Sequence, residues 1–163
     1  MSISIREAEN RDINIFIDFS VKLSNFNRQN HDNTCKYDDY ETVISRIKSK
    51  SITIFENRNS DILILIAELK NEPVGYVLAR IYEEDKTADN GTGRIGLLDE
   101  LFIDESARGL RIGQDLINQV IAWFKVKGIN RIKLHAFSWN EVAKRVYEKN
   151  GFREYAVSYE LYV

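Results

Sequence analysis

The sequence predicts a mixed α/β domain, and three observations carry that expectation. Two apolar runs, residues 61–70 and 73–82, flank the pair Asn71-Glu72 and read as an antiparallel hairpin. The second half alternates instead, with a strand at 94–104, a helix at 109–127 and a strand at 129–137. Such a unit folds as a right-handed parallel crossover, so the sheet is mixed. The helical stretches also carry one apolar stripe each: Ile112, Leu116, Ile117, Val120, Ile121 and Phe124 recur at helical spacing in the longest of them.

The remaining elements follow in order. Residues 2–6 alternate and read as a first strand. Asp12 is placed to cap a helix carrying Ile13, Phe16, Ile17, Ser20, Val21 and Leu23. The polar stretch 25–33 reads as a loop. Residues 38–48 form a second helix with Tyr40, Val43, Ile44 and Ile47 on one face, and 51–55 fits either a helix end or a short strand. Residues 83–93 are polar and contain glycine, as a mobile loop does. A helix over 140–149 and a last strand over 155–163 complete the chain.

Composition narrows the function classes. The 163 residues, 44% hydrophobic and 29% charged, suit a single folded domain spanning 1–163. A net charge of −2 supplies no basic field for nucleic acid. The one cysteine, Cys35, forms no internal disulfide, which fits a reducing compartment. No basic stretch followed by an apolar core opens the chain, so no signal peptide is read there. The longest apolar run, 62–67, is too short for a bilayer. The expectation is a cytoplasmic protein without membrane or nucleic-acid partners.

The motif that carries chemistry is Arg108-Gly109-Leu110-Arg111-Ile112-Gly113, between a strand and a helix. A helix N-terminus presents free amides and the positive end of the dipole, which together hold a phosphate. Alone, the turn is equally compatible with an ordinary strand-to-helix connection. A dinucleotide fold is disfavoured, because the turn lies late in the chain and lacks a third glycine. The second motif is Asn140-x-x-Ala143-x-x-x-Tyr147-x-x-x-Gly151-Phe152. Asn140 suits an N-cap, Ala143 and Tyr147 share a helix face, and Gly151 suits the helix end.

Together these segments resemble the GCN5-related N-acetyltransferase (GNAT) superfamily, over about residues 97–152. That family's signature is Gln/Arg-x-x-Gly-x-Gly/Ala, followed by an Asn…Ala…Tyr…Gly-Phe segment. Arg108 matches its first position and Gly113 its last, while Arg111 replaces the middle glycine. A helix N-terminus needs no positive φ, so an arginine is expected to sit there unstrained. It either contacts a phosphate or is a solvated side chain of the first turn.

The resemblance implies a mostly antiparallel central sheet with helices on both faces and a parallel β-α-β unit for acetyl-CoA. It implies that backbone amides of Arg108, Gly109, Leu110, Arg111, Ile112, Gly113 and Gln114 bind the pyrophosphate. Pantetheine would pair with strand residues Leu101, Phe102 and Ile103 in a gap beside the parallel neighbour. The amide of Leu101 or a near neighbour would polarise the acetyl carbonyl. Tyr147 would protonate the leaving thiolate, and Asn140 and Ala143 would line the pantetheine arm. The implied partners are acetyl-CoA and an amine acceptor, with no metal; a homodimer is compatible with the family. A coenzyme-binding module without chemistry, or transfer of another acyl group, fits the same motifs.

Asp99 and Glu100 are the candidate base or amine anchor. As neighbours on a strand they are expected to point to opposite faces, so only one reaches the reaction centre. His135 reads as a hydrogen-bonded core histidine and His31 as an exposed loop residue. The two lack ligand spacing for a metal. Cys35 has no base nearby in sequence, Trp139 walls a pocket or packs, and Asp38-Asp39 suits a helix N-terminal turn.

Overall fold

The computed structural model describes residues 2–32, 39–85 and 93–163. Five strands form one sheet in the order β1-β2-β3-β4-β5. They are β1 (Ile3–Glu7), β2 (Ile62–Leu69), β3 (Glu72–Glu84), β4 (Gly93–Ile103) and β5 (Ile132–Leu134). The first three pairings are antiparallel and β4 runs parallel to β5. The four helices are α1 (Ile13–Asn30), α2 (Tyr40–Glu56), α3 (Ile112–Val126) and α4 (Glu141–Lys149).

The hairpin forms from the two apolar runs the sequence marks, with its turn one residue earlier than expected, at Lys70-Asn71 instead of Asn71-Glu72. Lys70 and Asn71 both have positive φ, 54° and 67°, and Leu69 pairs with Glu72 across them. Two left-handed residues match the twist of the flanking strands. The hairpin then feeds both cores. Leu65, Val77, Ala79 and Leu98 face Leu116, Val120 and Phe124 of α3. On the other side, Ile64, Ile66, Tyr76, Leu78 and Phe102 face Phe16 and Phe19 of α1 and Phe55 of α2. Helices therefore cover both faces of the sheet.

Three segments differ from the sequence expectation, and one open alternative, at 51–55, is resolved. The 25–33 stretch is not a loop up to Asn30, because α1 continues through it. Phe26 carries that last turn by packing on Phe102 and Trp139, at 6.5 and 5.9 Å between ring centroids. Residues 51–55 are the end of α2, with Ser51 and Phe55 buried on its inner face. The strand at 129–137 shrinks to Ile132–Leu134, since β4 turns away beyond that point. The expected strand at 155–163 joins no ladder with the described strands, and its residues are exposed. Cys35 and Asp38 lie outside the described residues, as does most of the 83–93 loop; its ends extend β3 and β4.

Arg111 is the other correction. It is the N-cap of α3 with φ 62° and ψ 7°, the left-handed conformation that glycine adopts freely. A side chain there costs roughly 1–2 kcal/mol. Arg111→Gly is therefore expected to raise stability by about 1 kcal/mol, a rise in unfolding temperature of roughly 2–4 °C for a domain of this size. Calorimetry of the two proteins measures it, and a fall in unfolding temperature would show that Arg111 stabilises the turn.

Candidate active site

The site begins where β4 and β5 part. Gly96, Leu97 and Leu98 pair with Ile132, Lys133 and Leu134, and Gly96 N donates to Arg131 O at 2.9 Å. Gly96 is needed there, because a Cβ would fall 2.7 Å from the buried Phe124 ring. Beyond Leu98, β4 runs on to Ile103 with β3 on one side only. Past Leu98 the ladder with β5 ends, which leaves a gap in the pairing between β4 and the chain that follows β5.

A β-bulge sits at the mouth of this gap. Leu78 pairs with Glu100, but the next residue, Ala79, pairs with Leu98, so Asp99 is an extra residue on β4. Leu98 and Leu101 both join the α3-side core. The two residues between them, Asp99 and Glu100, both face the α1–α2 side, not opposite faces as strand alternation predicts. Asp99 forms an ion pair with Arg80. Glu100 accepts hydrogen bonds from the Tyr76 hydroxyl at 2.5 Å and from Ser20 Oγ at 3.1 Å. The Lys50 ammonium lies 3.8 Å from Glu100 Oε1. Burial and the neighbouring Glu100 push the Tyr76 phenol well above its ordinary pKa, so it remains a donor to that carboxylate.

The bulge also resets the backbone. Gly96 N points to β5, whereas Asp104 N donates to Val74 O on the β3 side at 2.8 Å. One inserted residue between them turns the amides and carbonyls of Leu101 and Ile103 into the gap. Phe102 turns its backbone to β3 and its ring to the α1-side core. The Ile103 carbonyl already accepts from Arg108 Nε at 3.2 Å.

The Arg108 guanidinium stays at this end of β4, 5.0 Å from the Phe26 ring centroid. Gly109 follows with φ 79°, then Leu110 packs against the α3-side core and Arg111 opens the helix. No side chain caps α3. Its first-turn amides, at Ile112, Gly113 and Gln114, are the donors that such a helix leaves for an anion. Gly113 keeps the turn bare: the nearest atom to a Cβ there is Ile103 Cγ1 at 4.0 Å. The Gln114 side chain is turned to α4 instead, where Asn150 Nδ2 donates to its Oε1 at 3.0 Å.

On α4, Asn140 accepts from Ala143 N at 3.1 Å, the N-cap its position predicts. Gly151 ends the helix at φ 87°. Tyr147 packs on the α3-side core, with Phe152 at 6.1 Å between rings. Burial pushes its phenol up to about 12. Tyr147 and the α3 N-terminus thus share one face of the sheet, while Asp99 and Glu100 lie on the other.

Aromatic rings bridge the gap on the carboxylate side. Phe26 of α1 touches Phe102 on β4 and Trp139 beyond β5. Trp139 stacks on Phe137 and donates from Nε1 to His31 Nδ1 at 2.9 Å. His31 is therefore held among rings rather than exposed, and His135 is exposed rather than in a core. Tyr76, Ser20, Arg80 and Lys50 joined the site without any motif to announce them. Their only signal is register, which depends on a bulge the sequence does not mark. Among the described residues no group of three or more His, Cys, Asp or Glu side chains could hold a metal ion. No described helix is long and apolar enough to cross a membrane.

Comparison with solved structures places this arrangement. A protein from Clostridium acetobutylicum, assigned as an acetyltransferase and crystallised with acetyl-CoA, is 20% identical with a TM-score of 0.74, covering 99% of this chain and 96% of that one. An assigned acetyl transferase from Pyrococcus furiosus is 20% identical with a TM-score of 0.77, covering 99% and 100%. The aminoglycoside acetyltransferase AAC(6')-Iy, bound to a bisubstrate analogue of coenzyme A and acetylneamine, is 16% identical with a TM-score of 0.70 over both full lengths. At these identities the likeness is one of fold. A search of curated proteins finds no match. The family model of the acetyltransferase (GNAT) family matches residues 24–152, most of the sequence, and the chain belongs to that family.

Proposed function

We propose that the protein transfers the acetyl group of acetyl-CoA to a primary amine by direct attack in a ternary complex. The observation that carries this reading is the bulge beside the β4–β5 gap, which sets two carboxylates on one face and leaves the phosphate-ready helix N-terminus on the other. The pyrophosphate would lie on the amides at the start of α3. The pantetheine arm would enter the gap, pairing with Leu101 and Ile103 as a missing strand. Asn140 and Ala143 stand at the start of α4, where they would flank that arm.

The acceptor would approach from the α1–α2 face. Lys50 sets a cationic nitrogen there already, since its largely exposed side chain brings the ammonium to face Glu100. Asp99 is tied to the Arg80 guanidinium, whereas Glu100 is held by two neutral hydroxyls and faces the exposed Lys50, so Glu100 is the better placed of the two to hold the amine and accept its proton. The nitrogen then attacks the thioester carbon. Negative charge gathers on the carbonyl oxygen, where the Leu101 amide would meet it. The C–S bond breaks and the sulfur leaves as a thiolate. Tyr147, protonated through neutral and mildly alkaline pH because its pKa is about 12, would donate to that sulfur.

Two substitutions separate these roles. Tyr147→Phe is expected to lower kcat by at least about tenfold while acetyl-CoA affinity, measured by calorimetry, stays nearly unchanged. Wild-type kcat should show no falling limb from this phenol until pH approaches about 12. Unaltered turnover of the phenylalanine variant at saturating substrates would remove Tyr147 from the mechanism. Glu100→Gln is expected to lower kcat/KM for the amine about 100-fold and to leave acetyl-CoA binding intact. The same assay, thiol release across an amine panel with mass detection of the product, tests the whole reading. Tight acetyl-CoA binding with no release on any amine would instead mark a binding module.

A further inference from the structure

The charges around Glu100 form a pattern that the transfer step itself does not use. The two oxygens of Glu100 are unequal. Oε2 accepts from both the Tyr76 hydroxyl, at 2.5 Å, and Ser20 Oγ, at 3.1 Å. Oε1 faces the Lys50 ammonium at 3.8 Å, beyond hydrogen-bonding range. The Glu100 side chain is 15% exposed and that of Lys50 is 58% exposed. The anion is therefore fixed by its two hydroxyls, whereas the cation stands in solvent on a flexible stem.

Lys50 differs from the other cations near the site. Arg80 is tied to Asp99. Lys22 of α1 lies between Asp18 and Asp104, at 3.1 and 3.5 Å. Lys50 has one ion-pair partner among the described residues, and that contact is loose. Asp99 and Glu100 thus each have a cation beside them, and the pair offers no excess negative charge. A bare ammonium arriving at Glu100 Oε1 meets a like charge at close range and must displace it into water. An acceptor with an anion beside its amine meets no such obstacle. Its ammonium takes the place of Lys50 at Oε1, and its anion takes Lys50 as a partner. The order along the site becomes carboxylate, ammonium, anion, ammonium, with every neighbour of opposite sign.

We propose that Lys50 selects the acceptor, and that the acceptor is a primary amine bearing an anionic group, carboxylate or phosphate, within a few bonds of its nitrogen. The inference rests on the reading of Glu100 as the residue that holds the amine and takes its proton. One side chain then supplies both halves of the specificity: it attracts the anion of the right acceptor and repels amines without one. Polyamines, which bring a second cation to the same place, are the class it turns away.

Thiol release with acetyl-CoA tests this on acceptors matched except for the anion. One arm compares α-amino acids with the amines left by their decarboxylation. The other compares O-phosphoethanolamine with ethanolamine, and the two arms separate carboxylate from phosphate. In at least one arm the anionic member should have a kcat/KM about tenfold higher. Lys50→Met should abolish that preference, lowering kcat/KM for the anionic acceptor and raising it for the plain amine. Lys50→Arg should retain it. Release on plain amines at least as fast as on their anionic partners in both arms would overturn this proposal and leave the acetyltransfer reading standing. A preference that survives Lys50→Met would do the same. Release on no amine of either kind would overturn both.

Discussion

Three residue pairs between β4 and β5, from Gly96–Ile132 to Leu98–Leu134, are the constraint on which the rest of the structure depends. They are the one parallel contact among the described strands. They are held from below by Phe124, whose ring occupies the space a Gly96 side chain would take. Because the contact is so short, β4 continues past Leu98 with only β3 beside it and leaves its other edge unpaired by any described strand. An interior edge with unpaired amides is costly unless something pairs with it. In the proposed function, a ligand's extended arm would pair with that edge.

The bulge at Asp99 converts this edge into a site with two sides. One extra residue on β4 sets Asp99 and Glu100 toward α1 and α2 and swings the Leu101 amide into the gap. Without it, Glu100 would point into the α3-side core, where a carboxylate has no partner and burial is prohibitive. With it, Glu100 meets Tyr76 and Ser20, which hold it as an acceptor. The phosphate-ready turn and the Tyr147 phenol stay on the other face. A thioester threaded between the strands would therefore meet its nucleophile from one side and its proton donor from the other. The aromatic chain through Phe26, Phe102 and Trp139 spans the gap on the α1 side, so α1 and the segment after β5 form one wall.

Much of this was legible in the sequence. The hairpin followed from two apolar runs around a turn, and α3 from its unbroken apolar stripe. Asn140 was readable as a cap from position alone, and the paired motifs at 108–113 and 140–152 identified the family before any geometry. What escaped depended on contacts far along the chain. The last turn of α1 is polar except for Phe26, and only the rings of Phe102 and Trp139 explain why it is helical. A bulge has no local signature in Leu98-Asp99-Glu100-Leu101, so alternation assigned the two carboxylates to opposite faces. Arg111 is locally indistinguishable from any first-turn arginine, and only its left-handed backbone shows why the family's glycine suits the place. The 155–163 pattern is that of a strand, but a pattern names no partner, and no described strand pairs with it.

The central claim is that the β4–β5 gap and the start of α3 form one cradle for an extended thioester ligand. Amide hydrogen exchange with and without acetyl-CoA tests it most directly, because it reads the backbone groups themselves. Binding should slow exchange at Leu101 and Ile103 in the gap, and together with them at Ile112, Gly113 and Gln114. Protection confined to other parts of the molecule, or slowed exchange at the helix with none at Leu101 and Ile103, would contradict it.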